Sequence, residues 1–267
     1  MVIFMSYFYT LSRLKTIKYI LNITPYVLLI ISFTTNANNN FIISPQGNNS
    51  QKINIEYSEP IRLLTLIKDA KEIRQAKKTS STYWLGSSLS KLIQPQKKQA
   101  LIKNLKQLSI KHERSQPLSI SFSNNAQWVE KNIHNTRIIT PIDIDKVRLN
   151  KNHNPLLKGG YKLTLANRPN NILILGAINK PQKLLWYPRK SASYYLQKIA
   201  LIDDADKSNV IVIQPDGIKT NHPIAYWNNQ HINISPGSII YVNYKSLLHD
   251  YSILNNMLSS ILINRTL

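Results

Sequence analysis

The stretch that decides the fold runs from Val210 to Tyr244: VIVIQPDGIKTNHPIAYWNNQHINISPGSIIYVNY. Two β-branched runs, 210–213 and 238–244, each border a tight turn, Pro215-Asp216-Gly217 and Pro236-Gly237. The stretch therefore predicts two strands of one sheet, joined by a polar crossing that carries a tryptophan. It contains no nucleophile paired with a base, no metal-ligand spacing and no phosphate-binding loop, so it indicates binding or assembly rather than catalysis.

The first 37 residues have the pattern of an export signal. Three basic residues precede a 15-residue apolar run at 19–33, and no acidic residue occurs before Glu56. A membrane-spanning helix needs about 20 apolar residues, so the run fits a signal peptide better than an anchor. The small residues Thr35 and Ala37 predict cleavage after Ala37 and a periplasmic mature protein. An uncleaved anchor is the alternative.

The composition of the mature chain bounds its partners. The whole chain has a net charge of +21, and removal of the signal with its three basic residues leaves +18. Such a chain attracts polyanions at low salt, although a general abundance of Lys, Asn and Ile explains the charge equally well. Export argues against nucleic acid. The chain has no cysteine, which excludes disulfides and a lipid anchor on an N-terminal cysteine, so we expect no stable membrane anchor after cleavage.

The first part of the mature chain is predicted to mix strand and helix. Residues 38–50 show no periodicity and are expected to be a flexible start, residues 52–57 alternate as a strand does, and residues 61–77 have helical spacing. Residues 83–115 carry two apolar stripes at helical spacing, separated by Pro95. We therefore expect a helical hairpin at about 80–115, with a lysine-rich outer face that is typical of a solvated surface.

The rest of the chain repeats an order of strands, helix and strands. Strands are predicted at 118–122, 137–144, 161–166, 172–177, 184–187, 210–213 and 238–244. Helices are predicted at 126–132, 193–202 and 247–263, and bends and turns at 147–160. A boundary between two halves falls near Arg168-Pro169-Asn170.

A small sheet wrapped around one helix is the β-grasp, or ubiquitin-like, arrangement. The pattern thus predicts an α+β protein with two tandem β-grasp domains, over 38–169 and 170–246. The helical hairpin is an insertion in the first domain, and residues 247–267 form a C-terminal amphipathic helix.

Four segments of the chain carry a family resemblance: GAINKP (176–181), ADKSNVIVIQPDG (205–217), AYWNNQHINISPGSIIYV (225–242) and DIDKVRLNKNHNPLLKGGYKLTLANRP (143–169). Together they resemble the GfcC family, a group of periplasmic proteins of capsule polysaccharide biosynthesis. The likeness spans most of 118–244 and weakens over 45–115. The same turn and strand pattern occurs in the soluble ligand-binding β-grasp (SLBB) repeats of Wza-type polysaccharide exporters. Those exporters are lipoproteins, and this chain lacks the cysteine that such an anchor needs.

The resemblance implies the same two β-grasp domains and a non-enzymatic accessory role in assembly or export of a capsule or exopolysaccharide. The family is associated with a pocket that contains an arginine. By pattern Arg137 is the best match and Arg148 the next. A guanidinium group there would bind a carboxylate or phosphate of an acidic sugar. The alternative for Arg137 is a structural ion pair with Asp143 or Asp145.

Three further residues are candidates for contact with a sugar. Tyr226 and Trp227 could stack on a sugar face, although a tryptophan beside a strand is more often partly buried core. Asn228 could bond hydroxyl groups, but paired asparagines also form turns.

One cluster leaves an enzymatic alternative open. Asp203, Asp204 and Asp206 could act as an acid and a base in a polysaccharide-modifying enzyme. The end of a helix is the more ordinary setting for such a cluster. The histidines show no ligand spacing, so we expect no metal and no cofactor.

The expected partners are a surface polysaccharide, with acidic polymers among the candidates, and an outer-membrane polysaccharide export protein. The C-terminal helix has few charges and a neutral polar face, which favours packing on its own chain or on a protein over a membrane. A structural adaptor that docks to an exporter through this helix is therefore a further alternative.

Overall fold

The computed structural model describes residues 39–45, 51–76, 81–245 and 249–267. The predicted signal and its cleavage site lie outside these residues, as do most of the predicted flexible start and the first two residues of the predicted C-terminal helix. The described residues belong to one compact unit.

The described residues form twelve strands and six α-helices. The strands are β1 (Asn39–Ser44), β2 (Ile53–Tyr57), β3 (Ile61–Arg62), β4 (Ser88–Lys91), β5 (Thr136–Ile138), β6 (Leu156–Leu157), β7 (Tyr161–Thr164), β8 (Asn171–Gly176), β9 (Gln182–Leu185), β10 (Ala205–Ile213), β11 (Lys219–Pro223) and β12 (Ile239–Tyr244). The α-helices are α1 (Leu63–Ala76), α2 (Lys98–Lys111), α3 (Gln116–Asn132), α4 (Ile144–Leu149), α5 (Ala192–Leu196) and α6 (Ser252–Leu262).

The first sheet has the strand order β2-β1-β7-β4-β5. Its two central strands, β1 and β7, run parallel, and the other pairs are antiparallel. Helix α1 follows the β1–β2 hairpin and packs on one face of the sheet through Leu63, Leu66 and Ile67, which are fully buried. Because strand side chains alternate, the opposite face of this sheet is formed by a different set of residues.

The second sheet repeats this topology, with the order β11-β10-β12-β8-β9. Here β8 and β12 are the parallel central pair, and α5 follows the β8–β9 hairpin. Renumbered within each sheet, both orders read 2-1-5-3-4, which is the β-grasp order. The predicted α+β fold of tandem β-grasp units is therefore confirmed, while the domain boundaries near residue 169 stay a prediction.

Turn chemistry explains two tight turns of the second sheet, one within the β10–β11 hairpin and one before β12. Gly217 and Gly237 have φ angles of +93° and +89°, a region that favours glycine. The side chain of Asp216 accepts a hydrogen bond from the backbone N–H of Ile218 at 3.0 Å, which closes the turn between β10 and β11.

The helical hairpin of α2 and α3 lies between β4 and β5 in sequence but packs on the second sheet. Leu101, Leu105 and Phe122 belong to the same apolar cluster as strands β8, β10 and β12. All residues of β8 after the first are buried, so both faces of this sheet are covered. The inserted hairpin thus links the two sheets.

Gly176, at the end of β8, anchors α3. Its carbonyl oxygen accepts hydrogen bonds from Ser121 Oγ at 2.9 Å, Asn125 Nδ2 at 2.9 Å and the Tyr244 hydroxyl at 3.2 Å. Its N–H donates to Asn125 Oδ1 at 3.1 Å. Its φ is +100°, and a Cβ atom there would lie 2.0 Å from the carbonyl oxygen of Val242, so glycine is required.

Several element predictions are wrong. The predicted strand at 118–122 lies within α3, and the predicted helix over 83–93 is a single 3-10 turn followed by β4. The hairpin therefore spans 98–132 rather than about 80–115. Residues 39–44 form β1 rather than part of a flexible start, and residues 144–149, predicted in part as a bend, form α4.

The C-terminal helix packs on its own chain. Leu254, Leu258 and Ile261 of α6 are buried in the cluster that covers the second sheet. The apolar stripe that suggested a partner is therefore used internally. Within the described part of the chain, no helix has both the length and the apolar character needed to cross a bilayer.

Candidate functional site

Arg137 lies on β5, an edge strand of the first sheet. At this position the first sheet, the second sheet and the C-terminal tail (263–267, after α6) meet. Its guanidinium group donates from Nη2 to the carbonyl oxygen of Pro215 at 2.6 Å and from Nη1 to that of Arg265 at 3.3 Å. Its backbone N–H donates to Asn264 Oδ1 at 2.9 Å. Arg137 therefore clamps the Pro-Asp-Gly turn and the tail through backbone carbonyls, and the expected alternative of an ion pair with Asp143 or Asp145 is not formed.

A second arginine lies beside it. Arg265 Nη1 donates to the carbonyl oxygen of Gly237 at 2.8 Å, so the tail is also tied to the second tight turn. Burial lowers the pKa of Arg137 to about 10, an effect that the negative charge of Asp216 partly opposes. Burial, together with the charge of Arg137, lowers the pKa of Arg265 to about 10. Both groups are still charged at neutral pH.

A cavity of about 400 Å³ opens beside Arg137, and we call it the Arg137 cavity. Ligand pockets typically enclose about 300–1,000 Å³, so the volume suits a small molecule or one or two units of a polymer. The lining comes from the turn before β4, from β5 and the loop after it, from the start of α4, and from the Pro-Asp-Gly turn. The lining residues are Trp84, Leu85, Ser87, Arg137, Ile139, Thr140, Pro141, Ile142, Asp143, Lys146, Asp216 and Ile218.

The Arg137 cavity combines apolar walls with balanced charges. Its lining contains two carboxylates, Asp143 and Asp216, and two cations, Arg137 and Lys146. Asp143 also caps α4 by accepting a hydrogen bond from the backbone N–H of Asp145 at 2.9 Å. The carboxylates are thus held in place by local backbone bonds, and the cavity presents both donors and acceptors.

Arg148 stands apart from this cavity. It is exposed on α4 and does not line the cavity, whereas Lys146, two residues earlier, does. Helical geometry explains the difference, because residues two apart on a helix do not share a face.

Tyr226, Trp227 and Asn228 also lie outside the Arg137 cavity. Tyr226 and Trp227 are 94% and 70% exposed, and their rings are perpendicular at a centroid distance of 5.9 Å. Trp227 is therefore not part of the core. The Asn228 side chain accepts a hydrogen bond from the N–H of Ala225 at 3.0 Å and donates to the carbonyl oxygen of Ser208 at 3.3 Å, which is the turn-forming role.

The three aspartates at 203–206 have different surroundings. Asp203 is exposed, and Asp204 is half-buried. Asp206 accepts hydrogen bonds from the N–H groups of Ser208 and Asn209 at 2.9 and 3.3 Å, so it shapes the start of β10. Across the described ranges, no group of three or more His, Cys, Asp or Glu side chains is placed to hold a metal ion.

Sequence reasoning missed Arg265, Lys146 and Asp216 as neighbours of Arg137. Asp216 was recognised only as a turn residue. No local pattern marks Arg265, because its contact with Arg137 spans 128 positions of the chain.

The fold and the site define a class: tandem β-grasp proteins with a cavity where the two sheets and the C-terminal tail meet. The chain belongs to the GfcC family of capsule biosynthesis. The family description "Capsule biosynthesis GfcC, N-terminal" matches residues 41–168, and "Capsule biosynthesis GfcC C-terminal" matches residues 180–266. The resemblance of the four sequence segments to this family is thereby confirmed.

One curated relative is the uncharacterized protein YjbG of Escherichia coli (strain K12). It is 39% identical over 101 residues, which cover 38% of this chain and 41% of that protein. The match thus spans about two fifths of the relative's length.

Proposed function

We propose that this chain is a non-enzymatic, periplasmic accessory protein that binds a saccharide segment during assembly or export of a capsule or exopolysaccharide. The observation that carries the proposal is the Arg137 cavity in a chain that belongs to a capsule biosynthesis family. The export pattern of the first 37 residues supports the compartment.

The chemistry of the cavity suits a sugar. Leu85, Ile139 and Ile218 are exposed apolar side chains on its wall and can contact the C–H face of a pyranose ring. Arg137 and Asp216 offer donors and an acceptor for hydroxyl groups. A site that merely attracted polyanions would be uniformly basic, and this one is not.

The contacts of the carboxylates support a role in binding rather than in bond cleavage. Glycoside hydrolysis uses two carboxyl groups that flank the scissile bond. Here Asp216 and Asp206 each accept backbone N–H bonds that shape a turn, and Asp143 caps a helix.

Binding of the purified protein to the cell's own extracted surface polysaccharide, measured across a salt series, tests the proposal. Binding that survives physiological salt and falls at least tenfold in Lys146→Ala and Arg137→Ala is expected. Arg148→Ala is the matched control, since it removes a charge from the same helix outside the cavity. If binding is lost with rising salt to the same extent in every variant, the binding is nonspecific electrostatic attraction, and the proposal is wrong.

A deletion strain tests the cellular role. Surface polysaccharide should decrease on deletion and return when the gene is restored. An unchanged amount and chain length of surface polysaccharide would contradict the proposal.

Docking to an outer-membrane exporter is a second candidate function, and the exposure of Tyr226 and Trp227 favours it. Aromatic residues are enriched at protein interfaces. The double variant Tyr226→Ser and Trp227→Ser should then lose co-purification with the exporter while polysaccharide binding is retained. Equal co-purification of the variant and the wild type would exclude this surface.

A further inference from the structure

A second cavity lies on the polar face of the first sheet. It encloses about 400 Å³, and its lining includes two lysines, one histidine and three asparagines: Lys52, Lys162, His134, Asn132, Asn135 and Asn264. We call it the lysine cleft. The ends of α3 and β4, strands β1 and β7, and the C-terminal tail all contribute to it, so it is built from parts of the chain that are distant in sequence.

The lysine cleft is rich in positive charge. Its lining contains two ammonium groups and no carboxylate. Lys162 is only 5% exposed, and burial, followed by the charge of Lys52, lowers its pKa to about 8. Lys162 is thus still mostly protonated at neutral pH.

One row of the first sheet contains a lining residue of the lysine cleft and a lining residue of the Arg137 cavity. The strand register places Lys162 of β7, Ser90 of β4 and Arg137 of β5 side by side, so the three residues share one face. Adjacent strands lie about 4.8 Å apart, which puts the Cα atoms of the lysine and the arginine roughly 10 Å from each other. This distance corresponds to about two sugar units of a polymer.

The neighbouring row of this face is polar as well. Ser44, Thr164 and Ser88 pair across β1, β7 and β4, and all three are at most 1% exposed. Among the described residues, their hydroxyl groups and that of Ser90 have no hydrogen-bond partner. Four such hydroxyls on one face are unusual, because buried polar groups are nearly always bonded. The face therefore has hydrogen-bonding capacity that the described protein groups do not use.

The C-terminal tail lines the lysine cleft and also contacts Arg137. Asn264 and Thr266 line the lysine cleft, while the carbonyl oxygen of Arg265, between them, accepts a hydrogen bond from Arg137. One short segment thus contributes to the lysine cleft and holds the arginine of the other cavity in place.

We propose that the lysine cleft is a second saccharide-binding site, which recognises the acid group of a sugar: the carboxylate of a uronic acid or the phosphate of a sugar phosphate. Lysine binds such oxyanions as a point charge, and the asparagine amides can donate to and accept from the ring hydroxyls. The inference deepens the proposed function and depends on it for the sugar part of the ligand. The Arg137 cavity has balanced charges, so the acid group is read at Lys162 and Lys52.

Titration calorimetry of the whole protein with four probes tests this site. The probes are glucuronic acid, glucose 6-phosphate, glucose and inorganic phosphate, all at physiological salt. At least one of the two acidic sugars should bind at least tenfold more tightly than both glucose and inorganic phosphate. The one that does so identifies carboxylate or phosphate as the acid group. Equal affinity for glucose would overturn the role of charge, and equal affinity for inorganic phosphate would overturn the role of the sugar.

Variants locate the bound sugar. Lys52→Met and Lys162→Met should each weaken the preferred acidic sugar at least tenfold, and Lys207→Met, an exposed lysine on β10, is the matched control. Lys52 is exposed, so its variant tests the site even where Lys162→Met fails to fold. Unchanged binding in Lys52→Met together with loss in Lys146→Ala would place the sugar in the Arg137 cavity. That result would overturn the inference and leave the proposed function standing.

Discussion

Replacing Asn125 by alanine should weaken the attachment of the helical hairpin to the second sheet. The Asn125 amide, 2% exposed, donates to the carbonyl oxygens of Ser121 and Gly176 and to the Tyr244 hydroxyl at 2.8, 2.9 and 2.9 Å, and it accepts from the Gly176 N–H at 3.1 Å. After the change, the Gly176 carbonyl still has Ser121 and Tyr244 as donors. The Gly176 N–H loses its partner in a site closed to water.

The expected loss follows from these contacts. An orphaned buried donor costs about 1–3 kcal/mol, and a cavity the size of an amide adds about 1 kcal/mol. Asn125→Ala should therefore lower the free energy of unfolding by about 2–4 kcal/mol. The gain in helix propensity on changing asparagine to alanine, about 0.5 kcal/mol, works in the opposite direction.

Asn124→Ala is the matched control, because it makes the same chemical change one position earlier in α3. Its amide has one hydrogen bond, to the carbonyl oxygen of Asn179, at the surface. A loss below about 1 kcal/mol is expected there. Urea unfolding followed by circular dichroism measures both variants at constant slope. A difference of less than 1 kcal/mol between them would refute the reasoning.

Three further outcomes follow from the packing. Burial lowers the pKa of His222 below its usual 6.5, so as the pH falls the imidazole is protonated in the unfolded chain before it is protonated in the folded one. The free energy of unfolding should therefore decrease as the pH falls below about 6.5. Urea titrations of His222→Gln should show a weaker dependence on pH. Gly176→Ala should lower the free energy of unfolding by more than about 3 kcal/mol, because the new Cβ atom would collide with a backbone oxygen. Gly159→Ala has a similar φ but open space around it, so its loss should be about 1–2 kcal/mol. Similar melting temperatures of the two variants would contradict this. Leu258→Ala should cost about 2–5 kcal/mol and Ile253→Ala, 72% exposed, less than about 0.5 kcal/mol; equal losses would mean that α6 is not packed as described.

The tight turns were the part of the fold that the sequence predicted most directly. Glycines in Pro-Asp-Gly and Pro-Gly predict turns because their backbone angles are local properties, and both have positive φ. The β-branched runs beside them predict β10 and β12 for the same reason. From these elements, together with the helix at α1, the repeat of the β-grasp order could be inferred.

The wrong predictions arose where a short segment fitted both the two-residue period of a strand and the 3.6-residue period of a helix. Leu118, Ile120 and Phe122 alternate as in a strand, yet Ile120 is 44% exposed and the buried series continues at helical spacing to Ala126 and Val129. A longer window favours the helix. The segment 85–93 was mistaken in the opposite direction. Its leucines at a spacing of four predicted a helix, but Leu89 is buried in strand β4 between two serines.

The candidate site was only partly predictable. Arg137 was identified from family resemblance, and the structure places it in a cavity, but Arg148 and Trp227 lie elsewhere. Contacts between the edge of one sheet, a turn of the other and the C-terminal tail depend on tertiary packing. No local period in the sequence records such contacts.

The inserted hairpin makes the chain hard to divide. Residues 98–132 are made before the strands that cover them, so their apolar face stays uncovered until residues 171–262 have also been made. If the first half were expressed alone, the apolar face of the helical hairpin would be exposed to solvent. If the second half were expressed alone, the face of its sheet that the hairpin covers would be exposed. Folding and resistance to proteases therefore depend on both halves together, and a cleavage in either half would destabilise both.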